Sequence, residues 1–233
     1  MLTKLEQVRE FHTVFEHPIS DEPYITVFDE QPKLVQLRYD LLYEEIKEFV
    51  DAYENHNIVE MVDALCDILY VSYGAALVFG LDIPQTGASL EYDGFNPYIL
   101  IQHRDYYFNC IRDFSNYLKL YKIAVSEKDI NKIKNALTDI NFMCHLLSFT
   151  LNINIDKAFD LVHKSNMTKA CKNGQEAGET VNYIRDTQPQ YKEPRYKQSK
   201  CGKYWIVYNA ENNKILKSKY YTPVNLQYVK QKI

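Results

Sequence analysis

Leu41-Leu42-Tyr43-Glu44-Glu45-Ile46-Lys47-Glu48-Phe49 (residues 41–49), followed after ten intervening residues by Glu60-Met61-Val62-Asp63, is the stretch on which the reading of this chain turns. Glu45 and Glu48 are three residues apart, and Glu44 and Glu48 four, so they can share one face of a helix. Traced backward, Leu34, Leu37, Leu41, Glu45 and Glu48 step by three or four, so the acids continue an apolar stripe. The next segment repeats the arrangement. Glu60, Asp63, Asp67 and Tyr70 step by three, four and three, between Met61, Leu65 and Ile68. Two antiparallel helices over Lys33–Asn55 and Ile58–Phe79, joined by a short turn, would face these stripes toward each other.

Several carboxylates would then meet in a half-buried place. Without a cation that is costly, because like charges and desolvation both raise carboxylate pKa values. Lys47 is the only Lys or Arg between residues 39 and 63. Oxygen ligands without His or Cys select Mg²⁺, Mn²⁺ or Ca²⁺, and the absence of Glu-x-x-His disfavours a di-iron bundle. The competing reading is an acidic solvated helix surface laced with Glu–Lys pairs. Glu-Glu-x-x-Glu alone is a weak signal; its pairing with Glu-x-x-Asp, in register with an apolar stripe, is much stronger.

Outward from this centre, residues 3–16 read as a short helix carrying Leu5, Val8, Phe11, His12 and Phe15 on one side, with a Pro- and Asp-rich loop after it. Gly80 is placed to end the second long helix. Pro84, Gly87, Gly94 and Pro97 mark a connection, after which helices are expected over Tyr98–Val125, Asp129–Leu151 and Ile155–Lys164. The segment at 64–83 aligns without gaps to 136–155. Ala64, Leu65, Asp67, Ile68 and Ile83 match Ala136, Leu137, Asp139, Ile140 and Ile155, a constant offset of 72. Duplication of a helical hairpin accounts for this better than chance similarity of two amphipathic helices. At that offset Glu60 becomes Lys132 and Asp63 becomes Asn135, and residues 115–121 carry no acidic motif. The fold expected is all-α: a half carrying the acids at 1–90 and a degenerate half at 97–170 within one domain (1–170). A polar extension over 171–233 follows, with a short helix near 176–185 and a β-hairpin at 204–217 turning through Asn209–Asn213.

Composition narrows the function classes. A formal charge of −4 gives no reason to expect nucleic-acid binding or a polybasic membrane surface. Seven glycines and eight prolines favour long helices. The twenty tyrosines are read as amphipathic packing residues. Five cysteines (Cys66, Cys110, Cys144, Cys171 and Cys201) without Cys-x-x-Cys spacing indicate neither a disulfide framework nor a zinc site; Cys66 and Cys144 read as core thiols. The charged N-terminus does not read as a signal peptide, and no apolar run is read as membrane-spanning, so the expectation is a soluble cytoplasmic protein.

The residues quoted resemble the all-α NTP pyrophosphohydrolase superfamily, which includes MazG-like enzymes, dimeric dUTPases and phosphoribosyl-ATP pyrophosphohydrolase relatives. The likeness lies in Glu44-Glu45-Ile46-Lys47-Glu48, in Glu60-Met61-Val62-Asp63 and in residues 63–76. It extends to Val162-His163-Lys164-Ser165-Asn166-Met167-Thr168-Lys169, similar to the His-x-Ser-Asn-Met-x-Lys segment of one MazG-like branch, and to the closing segment 215–223. The resemblance implies hydrolysis of a nucleoside triphosphate between its α- and β-phosphates. Glu45, Glu48, Glu60 and Asp63 would hold Mg²⁺, with Mn²⁺ as a substitute, and Glu44 would orient or deprotonate the attacking water. Asp67 would stand behind the ligands or serve as a buried hydrogen-bonding group. Asn166 and Lys169 are implied at the nucleotide, although Asn166 can equally cap a helix end. Arg38 can reach a phosphate or pair with a neighbouring acid, Lys172 is a weaker phosphate candidate, and Phe11, His12 and Phe15 read as core before base contacts. The substrate class is a (deoxy)nucleoside triphosphate, with dUTP or dCTP suggested by the family. The assembly expected is a homodimer, or a monomer whose two halves imitate one. A non-catalytic nucleotide- or metal-binding regulator, or a helical interaction module, is the alternative.

Overall fold

The computed structural model describes residues 2–84 and 104–227. Its helices are α1 (Lys4–Phe15), α2 (Val27–Glu30), α3 (Pro32–Glu54), α4 (Ile58–Phe79), α5 (Arg104–Ser126), α6 (Ile130–Thr150), α7 (Ile155–Met167) and α8 (Gly174–Thr187). Three strands follow: β1 (Pro194–Gln198), β2 (Trp205–Asn209) and β3 (Ile215–Leu216), in the antiparallel order β1-β2-β3. The expected connection at 84–96, the helix start at Tyr98 and the side chain of Cys110 lie outside the described residues.

The chain divides into two compact units. One holds Ile19–Asp160 with short terminal pieces, and the other holds Glu6–Pro18 with Leu161–Asn225. This partition falls at Asp160/Leu161, ahead of the change of composition at 170. It takes residues 6–18 with it, because Val14 and Phe15 of α1 pack with Ala170 and Ile206.

The first unit repeats itself. Adding 72 to Pro32–Glu54 gives Arg104–Ser126, the bounds of α5, and adding it to Ile58 gives Ile130, the first residue of α6. The turns repeat as well. His56 and Lys128 both take positive φ, 53° and 55°, each one residue before an N-cap. The caps are Asn57, whose side chain accepts from the Glu60 amide, and Asp129, which accepts from Asn131 and Lys132. Gly80 (φ 66°) and Asn152 (φ 56°) occupy the equivalent left-handed positions after α4 and α6. The backbone bonds there match: the Leu81 amide donates to Ala76 O, and the Ile153 amide to Ser148 O.

Helix α4 is the core element, with 16 of its 22 residues buried. It is long and apolar enough to cross a membrane by length and composition, contrary to the expectation that no run qualifies; most of that apolar window is buried inside the protein, as in a core helix. On α3 the core line is Val35, Arg38, Leu42, Ile46, Phe49 and Ala52. That line is displaced by about one residue from the Leu34–Leu37–Leu41–Glu45–Glu48 stripe expected to face inward. Lines one residue apart are about 100° apart around a helix, so the expected stripe is a flank of the core; Leu37 on it is 44% exposed.

In the second unit, β2 alternates as a half-buried strand should. Ile206 packs with Val14, Phe15 and Ala170, and Val207 packs on the other side with Cys171, Ala177, Val181 and Ile184. The hairpin expected at 204–217 is β2–β3, closed by Asn209. Helix α8 runs longer than the 176–185 expected. Strand β1 was not expected at all, because Pro-Arg-Tyr-Lys-Gln has four exposed positions of five and no apolar alternation.

Candidate active site

Asn57 starts α4 after a three-residue turn, and the α3–α4 hairpin brings Glu45 beside the acids of α4. The three half-buried positions of α4 are Asp63, Asp67 and Val71, spaced by four. On a helix otherwise buried or exposed outright, this is one narrow strip, and two of its three members are carboxylates. Glu45 is likewise half-buried, whereas Glu44, Glu48 and Glu60 are exposed. Burial, then the negative charges of Asp67, Glu48, Glu44 and Asp63, push the Glu45 carboxyl up to about 8. Four acids on two helices therefore act on a fifth.

Asp67 leads those charges, so it belongs to the cluster more directly than its sequence assignment implied. The sequence signal for this was its i,i+4 spacing from Asp63. Glu60 sits exposed in the first turn of α4, its amide capped by Asn57. The carboxylates do not close on a common point in this conformation. Among the described residues no three His, Cys, Asp or Glu side chains are arranged to hold one ion. The donor set nevertheless fits a hard divalent cation: carboxylate oxygens only, partly desolvated, with a proton retained on Glu45 near neutral pH. A cation replacing that proton would relieve the mutual repulsion.

The second hairpin lacks this chemistry. The positions equivalent to Glu44, Glu45 and Glu48 are Asn116, Tyr117 and Leu120, and Leu120 is 51% exposed. Asp139, equivalent to Asp67, is raised by burial alone, with no neighbouring acid acting on it.

The remaining candidates are distributed differently. Arg38 lies on the core side of α3, 6% exposed; burial lowers its pKa, and the neighbouring Tyr121 acts more weakly in the opposite direction. Asn166 and Lys169 belong to the second unit. Asn166 is buried at the end of α7, and the Lys169 ammonium stands 5.9 Å from the Phe11 ring centroid. His163 Nε2 is 3.2 Å from Glu10 Oε2. The two segments that carried the resemblance here are fastened together. Ser165 Oγ donates to Thr222 O, the Thr222 amide to Thr168 Oγ1, and the Ser218 amide to Lys169 O. Phe15 and His12 are buried, with Phe11 and Phe15 4.4 Å apart, as a core reading requires. Lys172 is exposed, and its amide donates to Glu176.

Residues 8–92 match the family model for phosphoribosyl-ATP pyrophosphohydrolase, a span that includes the acidic hairpin and ends before α5. Residues 8–92 thus carry a domain of the MazG-like all-α NTP pyrophosphohydrolase superfamily, of which that family is part. It is similar to the Uncharacterized protein L479 of Acanthamoeba polyphaga mimivirus, 35% identical over 232 residues, which covers 94% of this chain and 92% of that protein. This likeness runs far beyond residue 92, where the match to the family model ends. No solved structure matches the chain.

Proposed function

We propose that the chain is a Mg²⁺-dependent enzyme that hydrolyses a (deoxy)nucleoside triphosphate to the monophosphate and pyrophosphate. Membership of a pyrophosphohydrolase superfamily gives the reaction class. The observation that carries the finer reading is the convergence of acidic charge on half-buried Glu45 across α3 and α4. A triphosphate is repelled by such a site unless cations stand between, so the acids are cation holders first. Glu45, Glu48, Asp63 and Asp67 are the residues that would hold Mg²⁺, and Glu60 would join them by turning from its exposed position. The ion supplies charge stabilisation on phosphate oxygens. Glu44, exposed at the edge of the cluster, orients the attacking water and accepts its proton. Burial of Glu45 keeps competing water away and strengthens every charge interaction around it.

Asn166 and Lys169 are proposed as nucleotide contacts, an amide suited to a base or sugar edge and an ammonium suited to phosphate. Pyrimidine deoxynucleotides, dUTP or dCTP, are the proposed substrates, in a cytoplasmic enzyme whose second hairpin takes the place of a partner subunit. A screen of the common ribo- and deoxynucleoside triphosphates with Mg²⁺, reading monophosphate and pyrophosphate separately, tests this. Equimolar monophosphate and pyrophosphate from a deoxypyrimidine triphosphate supports the reading. Orthophosphate release, or no release from any of them, counts against it.

A further inference from the structure

The internal repeat builds a second feature away from the acids. Between α3 and α5 lies a groove enclosing about 340 Å³, lined by Tyr39, Tyr43, Ile46, Lys47, Leu118 and Lys119 with their immediate neighbours. Two pairs among these are related by the 72-residue offset: Ile46 with Leu118, and Lys47 with Lys119. The groove therefore sits where the first helices of the two hairpins face each other in register. Its volume lies in the lower part of the ~300–1,000 Å³ range of small-molecule sites.

Its chemistry is that of an aromatic anion's site. Lys47 and Lys119 are both exposed, and neither has an ion-pair partner among the described residues. Two like charges brought to one largely apolar groove repel each other, and a dianion between them relieves that repulsion. Beside them is a run of ring faces. Tyr39 stacks with Tyr43 (centroids 6.4 Å apart, planes at 24°) and lies parallel to Tyr121 (6.5 Å, 6°). Lys122 adds a third cation, 5.3 Å from the Tyr39 centroid. Ile46 and Leu118 supply the apolar wall. Lys47 is two residues past Glu45, about 200° around α3, so this groove and the carboxylates occupy opposite flanks of one helix.

We propose that the α3–α5 groove is a metal-independent binding site for a nucleoside monophosphate, its base against Tyr39 and Tyr43 and its phosphate between Lys47 and Lys119. A monophosphate unites a planar ring with a charge near −2, which matches two lysines and a tyrosine stack. Inorganic phosphate lacks the ring, and a fatty acid lacks both the ring and the second charge. The inference is independent of the hydrolytic reading.

The test is calorimetric titration of the full chain in EDTA, so that metal-bridged binding at the acids is silent. The probes are UMP, CMP and AMP, with inorganic phosphate and octanoate as the separated halves of the chemistry. Saturable binding of a monophosphate is expected. It should weaken at least tenfold, about 1.4 kcal/mol, in Lys47→Gln/Lys119→Gln and in Tyr43→Ala, and stay unchanged in Glu48→Gln/Asp63→Asn. Both lysines are exposed, so the variants should keep the wild-type circular dichroism. Several results would overturn the proposal: no monophosphate binding, binding indifferent to the lysine pair, phosphate alone binding as tightly, or octanoate binding more tightly than any nucleotide.

Discussion

Glu45 is the residue on which the account depends, and its ionisation makes a signed prediction. Its folded pKa of about 8 exceeds the ordinary 4.5, so between those values the folded chain holds a proton that the unfolded chain has released. Stability from this group is complete below about pH 4.5 and is lost as pH rises through about 8. In EDTA, the stability of the wild type to denaturant should therefore fall from pH 5 to pH 8.5 relative to Glu45→Gln. Mg²⁺ should restore the wild type at the upper pH and leave the glutamine variant unaltered. An identical pH response in the two proteins would show that no repulsion is stored at this carboxyl. At this scale the sequence was informative where spacing met burial. Glu45, Asp63 and Asp67 were legible because acids at helical spacing interrupted apolar runs. The approach of Asp67 to Glu45 is not visible in the sequence, because spacing orders residues along one helix and says little about how charges approach across two. The core position of Arg38 was equally hidden: a long cation on an amphipathic helix reads as solvated until the neighbouring line of core residues is known.

The α3–α4 hairpin is the element that sets the site, and its ends are tightly specified. A Cβ on Gly80 would lie 1.8 Å from the Glu22 carbonyl oxygen, at a positive φ as well. Gly80→Ala should destabilise the chain by more than about 2 kcal/mol, the left-handed penalty adding to a backbone clash. Asn57→Ala removes the N-cap of α4 and Asp129→Ala that of α6. Each should cost about 1 kcal/mol in denaturant titrations. Since Asn57 opens the helix that carries Asp63 and Asp67, only its loss should also reduce catalytic efficiency. Equal activity losses from the two caps would argue that the halves share the chemistry. The bounds of α3, α4 and α6 were readable from periodicity, caps and Gly80. The apolar line of α3 was read one position off, because leucines flank the core as well as fill it. Strand β1 could not be read, because its pairing with β2 is made by backbone groups that its polar side chains do not advertise.

At the scale of the molecule, one hairpin carries acids and its repeat carries Asn116, Tyr117, Leu120, Lys132 and Asn135 in their places. On the proposed reading each chain has a single metal-binding half. Mg²⁺ should raise the melting temperature by mass action, about 2.7 kcal/mol at a hundredfold excess over its dissociation constant. Substitutions confined to 115–135 should leave that shift intact. The repeat was legible in the sequence because its offset never varies. The joining of residues 6–18 to the C-terminal unit was not, since it depends on Val14 and Phe15 meeting Ile206, almost two hundred residues away.

The most direct test compares wild type with Glu48→Gln and Asp63→Asn for monophosphate and pyrophosphate formation from a deoxynucleoside triphosphate, with and without Mg²⁺. The wild type should turn over the substrate with Mg²⁺, and EDTA should abolish that turnover. Both variants should fall at least a hundredfold, about 2.7 kcal/mol of transition-state stabilisation, while keeping wild-type circular dichroism. Near-normal turnover in both variants, or turnover indifferent to Mg²⁺, would contradict it.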